Sequence, residues 1–146
     1  MTAVDESALG HLLGYHIARA EVPTRRVFFD AVGDVLQLRP VEFSVLMLLR
    51  MNADITSMQL SQTLAVSAPN MTTLLHRLEQ RGLVLRERSE RDRRAQHIRL
   101  TPEGSALADD AHARSLQSER NAFSSLSAAE RAMLIELLKK VAASAP

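Results

Sequence analysis

The sequence predicts a mainly α chain carrying one small β-hairpin, and three observations predict it. Apolar residues recur at the i, i+3, i+4 spacing of a helix through most of the 146 residues. Helix-start signals, a Ser or Thr followed by Pro or by Gln/Glu three positions on, precede several of those stretches. Two runs alternate instead, LVLRER at 83–88 and AQHIRLT at 95–101, with an arginine-rich tip between them.

Taken in order, residues 7–36 place Leu9, Leu12, Leu13, His16, Ile17, Ala20, Val27, Phe28, Ala31, Val32 and Val35 on helical spacing. Pro23 interrupts the pattern, so a kink or two abutting segments is expected there. LRPVEFSVLMLLR (38–50) restarts a helix with Pro40 in its first turn, where a missing N–H costs nothing. It is apolar nearly all round, as a buried helix is. ITSMQLSQTLAVS (55–67) holds a short helix opened by a Thr56/Gln59 capping-box spacing. Residues 67–82 follow, with Ser67 as N-cap, Gly82 as stop, and Met71, Leu74, Leu75 and Leu78 as the core stripe. The hairpin comes next. Thr101-Pro102 then opens a helix to about 124, and Ser127/Glu130 opens a last one over 126–141.

Length and composition bound the function. The chain is long enough for one domain that buries roughly two-thirds of its unfolded surface, and 46% apolar residues suit a folded protein. It contains no cysteine, which removes disulfides, thiolate metal sites and thiol chemistry. No apolar stretch approaches a membrane span. The N-terminus MTAVDESALG has no basic n-region, so a cytoplasmic, membrane-free protein is expected. The net charge of +1 hides an asymmetry. Between Thr56 and Thr101 lie Arg77, Arg81, Arg86, Arg88, Arg91, Arg93, Arg94 and Arg99, against Glu79, Glu87, Glu90 and Asp92. Positive charge gathered in one third of a chain is the footprint of a polyanion binder.

That third reads helix, turn, helix, basic hairpin. A helix-turn-helix presents the N-terminal part and exposed side of its second helix to the major groove. Here that side offers Ser67, Asn70, Thr72 and Thr73, with His76 and Arg77 behind, all able to meet base edges or phosphates. Alone, it reads equally as an amphipathic helix with a polar outer face. The hairpin shifts the balance, because a cationic tip of Arg91, Arg93 and Arg94 can reach a minor groove. Asp92, two residues from Arg94, is placed to hold that guanidinium in one orientation.

At this point the sequence resembles the MarR family of winged-helix transcriptional regulators. The match is carried by Asp92-x-Arg94 followed by Leu100-Thr101 and Pro102-Glu103-Gly104, by PNMTTLLHRLEQRGLV (69–84), and by LRPVEFSVL (38–46). The resemblance implies a winged helix-turn-helix lobe at 38–101. It implies dimerisation helices on either side, at 1–37 and 102–146, forming one intertwined structural domain. It further implies a homodimer on a palindromic double-stranded DNA operator and a small-molecule effector that lowers DNA affinity. Apolar stripes in the end helices, larger than one small lobe can cover, fit a dimer independently. Two departures stand out. Ala65 replaces the Gly usual in the turn, and since a left-handed backbone there would cost roughly 1 kcal/mol, a slightly different turn is expected. Arg39 replaces a Thr or Ser, so the helix after it is expected to lose its cap.

For the effector, Tyr15, His16, Arg19, Phe28, Phe29, Phe43, Met47 and His112 are the candidates, and their chemistry suits an aromatic or anionic molecule. A zinc-responsive regulator using His11, His16 and His112 is an alternative without tight ligand spacing. A winged-helix module that binds protein is another. No resident cofactor and no metal is expected, and neither a phosphate loop nor an acid–base constellation points to an enzyme.

Overall fold

The computed structural model describes residues 3–90 and 94–144. Helix α1 (Leu13–Phe28) runs through Pro23 as one helix, so the two abutting segments that were one of the expectations there are not formed. The irregularity falls later, in a single π-helical turn at Phe29–Gly33 that runs into the short α2 (Asp34–Leu36). Gly33 is buried against the rings of Phe28 and Phe29 and the carbonyl of Leu38, and a β-carbon there would meet Phe29 at 2.5 Å.

Helix α3 (Pro40–Met51) buries Glu42, Val45, Leu46 and Leu49. Arg39 has no side-chain acceptor to offer, as expected, yet the start is not bare: the Glu42 carboxylate accepts the Arg39 backbone N–H at 2.9 Å. A two-residue strand β1 (Ile55–Thr56) leads into α4 (Ser57–Leu64), where Thr56 and Gln59 make the reciprocal capping box. The turn after α4 corrects the expectation for Ala65. It keeps the left-handed backbone, at φ 51°, ψ 42°. Helix α5 (Ala68–Gln80) follows, and Gly82 closes it at φ 69°.

The hairpin is β2 (Val84–Arg88) and β3 (Gln96–Leu100), but the sheet has three strands in the order β1-β3-β2. Ile55 sits opposite Ile98, and Arg86 opposite the same residue from the other side. The third strand was missed because two residues carry no periodicity. Helix α6 (Pro102–Ala122) is tied to the base of the hairpin. The Thr101 hydroxyl donates to the Gly82 carbonyl at 2.5 Å and accepts the Gly104 N–H at 3.0 Å. Helix α7 (Ala128–Ala143) begins with the Ser127/Glu130 capping box read from sequence. The core joins Val32, Leu38, Val45, Leu46, Leu60, Met71, Leu75, Leu78, Ile98, Ala108 and Ala111, so the π-helical turn, α3–α6 and the sheet close around one centre, with Phe28 of α1 and Leu36 of α2 packed at its edge. Helix α7 contributes no buried residue.

Candidate nucleic-acid interface and adjoining cleft

Helix α5 separates two kinds of residue cleanly. Met71, Leu75 and Leu78 are fully buried, while Asn70, Thr72, Thr73 and His76 are exposed. Ser67 accepts the Asn70 N–H at 3.4 Å, satisfying a donor at the helix start. The Thr72 and Thr73 hydroxyls donate back to the carbonyls of Ala68 and Pro69, at 3.0 and 3.2 Å. Their protons are thereby committed and their oxygens remain acceptors. The face is short, polar and uncharged at its front, so a backbone of this helix can approach base edges closely.

Several of the arginines have partners within the lobe that composition could not reveal. Arg77 pairs with Glu42, Nη2 to Oε1 at 3.3 Å, and that acid is only 1% exposed. Arg81 donates to the carbonyls of Gln37 and Leu36, at 2.6 and 2.9 Å, and so caps the C-terminal end of the first helical segment. Arg86 pairs with Glu79 at 2.9 Å. Arg99 joins Asp54 at 2.7 Å and Glu87 at 3.2 Å, and those partners, the Asp54 hydrogen bond foremost, hold its guanidinium above the ordinary arginine value. These four brace the lobe. Arg88 is exposed at the end of β2 and Arg94 is exposed beside the tip. Arg91, Asp92 and Arg93, and with them the expected Asp92–Arg94 contact, lie outside the described residues.

Beside α5 lies an open cleft of about 1110 Å³ between α1, the start of α3, the Ala65 turn and α5. Phe28 stands edge-on to Phe29 and to Phe43, with ring centroids 5.4 and 5.6 Å away. The Arg25 guanidinium lies over the Phe29 ring, 5.8 Å from its centroid. Arg39 and Arg77 also line the space. Aromatic edges with several guanidinium groups suit a flat molecule bearing a carboxylate or another anion. Ser67, Asn70, Thr73, Leu74 and Arg77 form one wall, so α5 faces both the cleft and the exterior.

A family model described as MarR family matches residues 36–95, the segment that holds α3, α4, α5 and β2. The multiple antibiotic resistance protein MarR of Salmonella typhimurium is 33% identical over 107 residues, 73% of this chain and 74% of that protein. The chain belongs to the MarR family. Among solved structures, the transcriptional repressor CouR bound to a 23-mer DNA duplex matches with TM-score 0.88 and 32% identity, over 97% of this chain and 99% of that one. A MarR variant from E. coli complexed with operator DNA matches with TM-score 0.79 and 27% identity, over 96% and 99% of the two chains. This MarR-family protein is a winged helix-turn-helix, DNA-binding transcriptional regulator.

Its cleft is not lined by all the residues singled out from sequence. Phe28, Phe29 and Phe43 line it; Tyr15, His16, Arg19, Met47 and His112 are not among its lining residues. Tyr15 and Arg19 instead clasp Glu6, with Tyr15 donating at 2.6 Å and Arg19 at 3.1 Å, while His16 Nε2 lies 2.8 Å from the Gly10 carbonyl oxygen. The Tyr15 hydrogen bond, followed by the charge of Arg19, holds the Glu6 carboxyl below its ordinary value. Arg19 is held above its own, first by Tyr15 and then by Glu6. Met47 packs against the core, and His112 is half-buried on α6. Arg25, Arg39 and Glu42 were missed. Glu42 had one readable signal, an acid three residues after a residue preceding Pro40, which is the return half of a capping box. Among the described residues no group of three or more His, Asp or Glu gathers as a metal site, and none of their helices is long and apolar enough to cross a membrane.

Proposed function

We propose that this MarR-family regulator is a homodimeric repressor, released from a palindromic operator when an anionic aromatic effector fills the cleft. The observation that carries the reading is the outer face of α5, where Asn70, Thr72, Thr73 and His76 stand exposed beside β2. In this reading residues 38–101 read DNA, Arg91, Asp92, Arg93 and Arg94 serve the minor groove, and the segments 1–37 and 102–146 build the dimer. CouR, 32% identical and of the same fold, was solved on a DNA duplex, which supports this mode of binding. The dimer is supported by α7, whose Met133, Leu134, Leu137, Leu138 and Val141 are each at least 40% exposed in one copy. Stripes of that kind ask for a partner surface.

The test is selection of duplexes from a random-sequence library, followed by titration of the selected duplex against salt. Affinity should fall steeply and linearly on logarithmic axes as phosphates are neutralised. A protein that selects no sequence would end the reading. A thermal-shift screen of aromatic carboxylates should then find compounds that both stabilise the protein and release the bound duplex.

A further inference from the structure

Arg77 sits on the recognition helix at a position that invites assignment to DNA, yet its surroundings point inward. Its guanidinium meets Glu42, a carboxylate on α3 that is 1% exposed and also holds the Arg39 backbone N–H at 2.9 Å. Removing Arg77 to a phosphate would strand a buried acid without its countercharge, the costliest outcome for such a pair. Helix α5 packs mainly on α4 and β2, and the Glu42–Arg77 ion pair links it to α3.

We propose that Arg77 is a positioning residue and not a groove contact: its ion pair with Glu42 sets the angle at which α5 is offered to DNA. This rests on the DNA-reading function of α5, and it assigns sequence selectivity to a pair that never touches the duplex. Asn70, Thr72 and Thr73 make base contacts only when the helix is held at one tilt. A rotated helix still presents the same charges to phosphates. Loss of the pair therefore removes selectivity while leaving non-specific attraction in place.

The experiment compares Arg77→Gln, Glu42→Gln, the double variant and wild type on the library-selected duplex and on a scrambled duplex, each across a salt series. Each single variant should lose on the order of tenfold in affinity for the selected duplex. Affinity for the scrambled duplex and the salt slope should stay at wild-type values, and the double variant should be no weaker than the weaker single one. A salt slope lowered by about one in Arg77→Gln alone would mark a direct phosphate contact and overturn the proposal. So would a Glu42→Gln protein with wild-type selectivity or tighter binding. Because either substitution can weaken folding, Glu42→Met combined with Arg77→Met serves as a packed reference. That protein should melt near wild type and still read sequence poorly; recovered selectivity would reduce the pair to filler and end the proposal. A wild-type protein that selects no duplex would instead strike the regulator reading, which keeps the two failures apart.

Discussion

At Ala65 a methyl group occupies a backbone conformation, φ 51°, that glycine adopts freely. The turn is retained because Val66 donates to Ser61 at 3.0 Å and Leu64 and Val66 pack against the core. Ala65→Gly should therefore stabilise the protein, by roughly 0.5–1 kcal/mol after the extra freedom of an unfolded glycine is subtracted, read from chemical unfolding. Gly104 is the opposite case. A β-carbon there would run into the backbone of Leu83, so Gly104→Ala should destabilise by about 1–3 kcal/mol or more and loosen the hairpin from α6. The Glu6 clasp makes a pH prediction. Its folded value is depressed, so its small contribution is complete above the usual glutamate range and fades as pH falls through the lowered value. Tyr15→Phe removes the largest cause, and the Glu6 titration followed by carboxyl NMR should move upward.

Among the elements, the hairpin is braced at its root by Arg99, which ties β3 to Asp54 before β1 and to Glu87 on β2. Arg94→Ala is expected to weaken binding to the selected duplex by about 1–3 kcal/mol, measured by anisotropy; unchanged affinity would take the hairpin out of the interface. The helices were legible in sequence because capping residues and apolar spacing are local signals, as Thr56/Gln59, Ser67, Thr101 and Ser127/Glu130 illustrate. The π-helical turn, at whose end Gly33 packs against the Phe28 and Phe29 rings, was not legible, since a one-turn change of helical register leaves the apolar spacing almost unaltered. Nor was the cleft. Its walls run from Glu21 to Arg77, and no spacing within one element brings Arg25, Arg39 and Glu42 together. Nor does counting arginines reveal that Arg77, Arg81, Arg86 and Arg99 have partners inside the chain.

For the whole molecule, the exposed apolar stripe of α7 and the exposed Leu9, Leu12, Leu13 and Ile17 near the other end set the expectation of a pair of chains. Leu134→Asp should give a monomer in sedimentation and, at equal concentration, little binding to the full palindrome. A monomeric wild type would contradict the arrangement. Asn70 and Thr73 belong to the cleft wall and to the exposed face together. With the effector in this cleft as proposed, anyone retuning such a scaffold as a biosensor would find target promoter and inducer chemistry entangled, because a side chain changed to suit a new base pair would also reshape the chamber behind it.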